Sequence, residues 1–336
     1  MKRTAAILGW VASTDTHPLI ADYRAITESC GLLDRSERGK LALTGAGAVE
    51  FLNGQVTNEL STLNAGEGCY ATSLTHKGKM LGDLRILAVP AQQQDAAVEL
   101  LLDTERSTLQ ALFDMIRRFK IGYEAELHKR TVERGLLSLL GPTAAVLAGS
   151  ASLGVEEHSN APVQLDGVSA LAVRTDVGVD LLCDAGDTDA LRAALLARGA
   201  VAVSEDAAEC LRIERGRPRY GIDLDDTVIP QEAGLNERAV NFTKGCYVGQ
   251  ETVARLFYKG KPNRHLRGLK LSAPASNGEE LRLGERVVGR LGSTAVSPTF
   301  GPIALALVRR EAEPGAVVEV GEGGVTAEVV KLPFAL

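Results

Sequence analysis

Lys244-Gly245-Cys246-Tyr247-Val248-Gly249-Gln250-Glu251 sets one thiol between two glycines, with a lysine two residues before it and a Gln-Glu pair after it. Glycines let a backbone bend and approach a ligand closely. A nearby cation raises the thiolate fraction, the reactive form of cysteine. Cys246 therefore reads either as a buried small hydrophobe or as an exposed functional thiol, which could also serve as a soft-metal ligand. From Lys244 to Arg267 there are six basic residues, Arg255 among them, and one acid, Glu251. That is a solvated face or a local anion site. A poly-glutamate tail, a partner's acidic face or an RNA phosphate would each suit the latter.

Two carboxylates attract attention. Glu214, in Leu211-Arg212-Ile213-Glu214-Arg215-Gly216, falls at the end of an expected helix. An acid there opposes the helix dipole, so local helix stability does not account for it. It is either a solvated residue between arginines or an acceptor for the donor edge of a planar ligand such as a pterin. Asp83 follows the expected turn His76-Lys77-Gly78-Lys79. It is either paired with Arg85 or another base, or it faces the reactive nitrogens of a bound cofactor. Tyr70, on the preceding strand, stacks on the same ligand or belongs to the core.

The elements that must carry these residues read as follows. Cys69–Thr75 and Met80–Val89 form a hairpin, and Val98–Asp103 a third strand. Thr104–Phe119 is an amphipathic helix with Leu109, Leu112, Phe113, Ile116 and Phe119 on one face. Ile121–Leu127 closes a compact α+β unit of ferredoxin-like size. Strands are also expected at Gly135–Leu140, Val163–Val173 and Val177–Cys183, and helices at Pro142–Ala148 and Ala190–Arg198. Ser204 opens another helix with two acids in its first turn. Beyond His265 five strands alternate with Gly and Pro, at Leu266–Leu271, Arg286–Leu291, Ile303–Val308, Val317–Val320 and Thr326–Lys331. This is the pattern of a small β-barrel.

The 336 residues allow two or three domains, and the hydrophobic and charged fractions, 45% and 24%, are those of a globular chain. No apolar run approaches the ~20 residues a membrane span needs. The start, Met1-Lys2-Arg3 and then Ala5–Ala12, imitates a secretory signal only faintly, being short and broken by Gly9 and Trp10. Five scattered cysteines make no Cys-x-x-Cys pair, so a cytoplasmic protein without a disulfide framework or structural zinc is expected. A net charge of -6 argues against general nucleic-acid binding. No nucleotide-binding glycine fingerprint, serine-hydrolase elbow or His-Glu-x-x-His is present, and the five histidines stand apart.

In order along the chain, several segments resemble the YgfZ-type folate-binding proteins, relatives of the glycine-cleavage aminomethyltransferase (GcvT, or T-protein). They are Phe51–Leu60, Gly68–Leu84, Leu211–Gly221 with Ile229–Leu235, the octapeptide Lys244–Glu251, and Lys331–Phe334. The resemblance implies an α+β, three-domain GcvT/YgfZ-like ring, with a ferredoxin-like unit, a C-terminal β-barrel and folate at the centre. Its domains would be a folate-binding one (1–50 plus 130–240), the ferredoxin-like one (51–129), and the octapeptide linker with the barrel (241–336). It implies tetrahydrofolate or a one-carbon derivative as cofactor, with Glu214 holding the pterin and Tyr70, Asp83 and Arg255 in the same site.

Two departures bear on activity. Gly82 stands where the aminomethyltransferases carry the first of two aspartates. Arg174-Thr175-Asp176-Val177-Gly178-Val179-Asp180 also lacks their Gly-Tyr-Thr-Gly-Glu run. The octapeptide belongs to the YgfZ side. That branch implies an accessory role in iron–sulfur cluster assembly or repair, with cluster-assembly or client proteins as partners and indirect support of tRNA modification. The alternative is a folate-dependent aminomethyltransferase or methyltransferase.

Overall fold

The computed structural model describes residues 18–91, 96–150 and 152–335. The signal-like start lies outside them. The chain runs through α1 (Pro18–Glu28), β1 (Gly31–Asp34), β2 (Gly39–Thr44), α2 (Ala48–Asn53), β3 (Gly68–Leu74), β4 (Met80–Pro90), β5 (Val98–Thr104), α3 (Leu109–Phe119), β6 (Glu126–Lys129) and β7 (Arg134–Leu140). Next come α4 (Ala144–Leu147), β8 (Asn160–Leu165), β9 (Val168–Arg174), β10 (Gly178–Asp184), α5 (Thr188–Ala197), β11 (Val201–Ala202), α6 (Glu205–Glu214), α7 (Asn236–Ala239) and α8 (Gln250–Lys259). The last strands are β12 (Arg264–Leu271), β13 (Glu280–Leu283), β14 (Arg286–Ser297), β15 (Gly301–Arg309), β16 (Val317–Val320) and β17 (Val325–Val330).

They form a five-stranded sheet in the order β3-β4-β5-β2-β6, a six-stranded sheet in the order β11-β1-β7-β10-β9-β8, and a closed barrel β12-β15-β14-β13-β16-β17. The expected α+β architecture with a C-terminal β-barrel is what the chain adopts. Closure of the barrel leaves no edge strand to pair with other chains.

Apolar periodicity explains the sheets' cores. Leu41, Leu43, Phe51, Leu52, Leu84, Ile86, Leu100 and Leu102 are buried together in the five-stranded sheet under α2 and α3. Leu32, Leu137, Leu139, Val179, Leu181, Leu191 and Leu195 do the same in the six-stranded one. Leu87 of β4 packs with Leu136, Val173 and Leu182, so the two sheets meet on an apolar patch. Ile213 of α6 packs on Leu266, Ile303, Leu305 and Phe334 and ties the barrel to the rest.

Local expectations fail in five places. The segment Val163–Val173 is two strands, since Asp166 and Gly167 both take positive φ (47° and 89°) and form a two-residue hairpin turn. An Asp-Gly pair favours that turn. The helix expected from Thr104 begins at Leu109, because Thr104 ends β5. Phe119 is 52% exposed and Ile121 82%, so the apolar stripe stops short and the following strand starts at Glu126. Strand β13 carried no clear apolar signal. Ser204 is the N-cap, yet its hydroxyl bonds the Asp22 carboxylate and not the helix N–H groups.

Candidate functional site

The β3–β4 hairpin places Tyr70 opposite Arg85 and Thr72 opposite Asp83. The Tyr70 hydroxyl reaches across this register and donates a 2.5 Å hydrogen bond to Asp83 Oδ2. Asp83 is 8% exposed. Oδ1 has no side-chain hydrogen-bond partner among the described residues. Burial pushes the Asp83 carboxyl above its usual range, and the Tyr70 bond opposes that shift without cancelling it. The Tyr70 hydroxyl is itself raised well above the ordinary phenol value by burial and by Asp83. The Arg238 guanidinium lies 4.9 Å from the Tyr70 ring centre and pairs with Glu157.

Asp83 does not pair with Arg85. That guanidinium bridges Asp103 of β5 and Asp180 of β10, each at 2.7 Å, and so fastens one sheet to the other. Ser138 completes the link by donating to Asp180.

Tyr70, Asp83, Arg85, Asp180 and Arg238 line a cavity of about 220 Å³ between the two sheets and α6. Thr175 and Asp176 line it too. The stretch that departs from the aminomethyltransferase pattern therefore still borders the cavity. Arg35, Arg215, Arg217 and Arg219 complete the wall, with Arg215 exposed. Sequence reasoning did not single out Arg238, Asp176, Asp180 or His158. Each is an ordinary loop, helix or strand residue until the sheets pack, although Asp176 and Asp180 lie in the run that departs from the family motif.

Glu214 is set apart from this group. It is 7% exposed and does not border the cavity. Its carboxylate accepts hydrogen bonds from the hydroxyls of Tyr23 (2.8 Å) and Ser297 (2.5 Å) and from the Cys210 thiol (3.5 Å). Its carbonyl accepts the Phe334 N–H at 2.8 Å. The reading of Glu214 as a solvated acid is overturned by this burial. As placed, the residue joins α1, α6, the barrel and the C-terminal run.

The octapeptide lies beside the hairpin. Lys244 is 8% exposed, and its ammonium donates to the Asn53, Val56 and Asn58 carbonyls and to Asn53 Oδ1, at 2.6–3.0 Å. Burial lowers its pKa to about 8. The charge is thus engaged by the segment after α2 and is not free to serve Cys246. Tyr247 is buried with Leu74, Met80, Leu224 and Val253. Gly249 has φ +84°, and a Cβ there would sit 2.5 Å from the Thr75 carbonyl in the hairpin turn. Nothing in the structure requires glycine at 245.

Cys246 is exposed, whereas Cys30, Cys183 and Cys210 are buried and Cys69 is intermediate. Gln250 reaches back to the Gly245 carbonyl at 3.5 Å, and Glu251 and Arg255 are exposed on α8. Neither Cys246 nor Arg255 borders the cavity. No group of three or more His, Cys, Asp or Glu among the described residues is arranged to hold a metal ion. No described helix is long and apolar enough to cross a membrane.

Comparison with known proteins agrees with this architecture. Residues 10–244 match the GCVT N-terminal domain, and residues 264–335 match the glycine cleavage T-protein C-terminal barrel domain. The octapeptide's last seven residues fall between the two matches. An aminomethyltransferase of Streptomyces avermitilis is 30% identical over 93% of this chain and 88% of its own length. One from Thermotoga petrophila is 30% identical over 97% and 92%. The crystal structure of the glycine cleavage system aminomethyltransferase T from Bartonella henselae superposes with a TM-score of 0.82 at 25% identity, covering 94% of this chain and 89% of that one. With its two domain matches, full-length relatives and shared fold, the chain belongs to the glycine-cleavage T-protein (GcvT) family.

Proposed function

We propose that the protein is a folate-dependent one-carbon transferase of the aminomethyltransferase type, working in the cavity between the two sheets. The observation that carries this is the buried Asp83 carboxylate, held by Tyr70 at the cavity wall. The residues present fit a reduced folate. Asp83 offers an acceptor for ring N–H groups. The arginines at the mouth, Arg215 and Arg217, suit the carboxylates of a glutamyl tail. At about 220 Å³ the cavity takes a ring system and leaves the tail to the mouth.

Tetrahydrofolate supplies the nitrogens that carry the one-carbon unit. Asp83 is suited to accept the proton that such a nitrogen gives up as its bond to carbon forms. A carboxyl pKa raised by burial moves toward working pH and strengthens that base. Tyr70 fixes the orientation of Oδ2, and Arg238 on the ring face restrains Tyr70.

The test is calorimetric titration of tetrahydrofolate, with turnover measured alongside glycine-cleavage partner proteins. Wild type should bind and turn over, and Asp83→Asn should bind but lose at least ~100-fold in rate. Binding without turnover in wild type would remove the transferase reading. It would leave a second one, a YgfZ-type folate-binding accessory protein for iron–sulfur cluster maintenance. The exposed Cys246 on its octapeptide favours that reading. Under it, Cys246→Ser would leave folate binding intact and abolish support of cluster enzymes in a deletion strain.

A further inference from the structure

His158 lies on the wall of the same cavity, in the loop between α4 and β8. Its side chain is 9% exposed, and neither Nδ1 nor Nε2 has a hydrogen-bond partner among the described residues. Buried ring nitrogens are nearly always partnered, so an unpartnered pair calls for an explanation. The backbone is also unusual. His158 has φ +72°, a left-handed conformation that disfavours residues with a Cβ.

Neighbouring bonds hold that conformation. The His158 N–H donates to the Arg174 carbonyl at 2.9 Å, and Asn160 bonds the Gly66 and Glu67 carbonyls at 2.7 and 2.9 Å. Strain kept in place by its surroundings, at the wall of a cavity, is a feature of functional sites. Burial and the guanidiniums of Arg85 and Arg238 lower the ring's pKa to about 3. The imidazole is therefore uncharged at physiological pH, with one donor and one acceptor nitrogen. Glu157 Oε1 stands 3.7 Å from Nε2, beyond hydrogen-bond reach. Such distances often tighten only when a ligand is bound. Thr175 Oγ1 on the same cavity wall is likewise without a partner.

We propose that His158 is a ligand-binding residue of this cavity, hydrogen-bonding an uncharged N–H or C=O edge of the ring system held there. This inference rests on the folate reading above and assigns His158 a contact with the pterin.

His158→Gly and His158→Asn test it, since both residues accept a left-handed backbone. Tetrahydrofolate is titrated calorimetrically into wild type and both variants, and melting temperatures are measured in parallel. The expected result is about 5- to 150-fold weaker binding for His158→Gly, a smaller loss for His158→Asn, and a Tm no lower than wild type in at least one of them. Unchanged binding in His158→Gly overturns the inference while leaving the folate reading standing. Weaker binding that tracks a lowered Tm in both variants overturns it too. A wild-type protein that takes up no tetrahydrofolate overturns both.

Discussion

Tyr70 Oη donates a 2.5 Å hydrogen bond to Asp83 Oδ2 from the adjacent strand of one hairpin. The two residues are 13 apart in the chain and share the wall of the cavity between the sheets. The bond holds a carboxylate whose charged form burial disfavours.

That penalty makes a pH-dependent prediction. Burial holds the folded-state pKa of Asp83 above the 3.8 of an ordinary aspartate. Asp83 therefore favours folding fully below pH 3.8, and this contribution is lost as pH rises through the folded value. Asp83→Asn removes the ionisation and keeps an acceptor for Tyr70. Its melting temperature should exceed wild type at pH 7, with the difference shrinking toward pH 4. Each unit by which the pKa is raised corresponds to about 1.4 kcal/mol. Thermal melts across that range check the sign, and a variant less stable than wild type at pH 7 would refute it.

Glu214 is expected to matter for stability. Glu214→Gln removes a charged acceptor from three donors and turns an amide N–H₂ toward some of them. The cost should be about 1–3 kcal/mol in urea unfolding. Tetrahydrofolate affinity should change little, because the carboxylate does not border the cavity. An affinity drop of roughly 5- to 150-fold without lost stability would instead support the family-based reading of Glu214 as the pterin holder.

The two glycines flanking Cys246 should respond differently. Gly249→Ala forces a Cβ toward the Thr75 carbonyl at a left-handed backbone and should cost more than about 1 kcal/mol. Gly245→Ala meets nothing within 4 Å and should lie within about 0.5 kcal/mol of wild type. Chemical denaturation of both variants separates a docked turn from a flexible loop, since equal effects would leave no place for the contact with Thr75.

Thiol labelling should single out Cys246. It is exposed, whereas burial pushes Cys30 up to about 11 and Cys69 up to about 12, and raises Cys183 and Cys210 as well. A maleimide reagent at pH 7 should modify Cys246 first and the others only on unfolding. Cys246→Ser should shift stability by less than about 0.5 kcal/mol. Labelling of any other cysteine at a comparable rate would contradict the burial described above.

The sequence by itself carried the signals with short range. Two strand-like runs flanking the turn His76–Lys79 marked the hairpin, the apolar stripe from Leu109 to Ile116 marked α3, and turn-punctuated strands beyond His265 marked the barrel. Motif order alone pointed to the family, and Tyr70 with Asp83 was legible because both lie on one hairpin. Tertiary packing decided the rest. It set Arg238, Asp180 and His158 beside that pair, although 75 to 168 positions separate them from it along the chain. It turned Glu214 from an apparent helix-end acid into the joint of four segments. It also directed Lys244 to the backbone carbonyls after α2 and not to Cys246. The physical reason is the same throughout. Periodicity reports which face of an element is apolar, but a polar side chain's role depends on the donors and acceptors that other elements bring within about 3 Å.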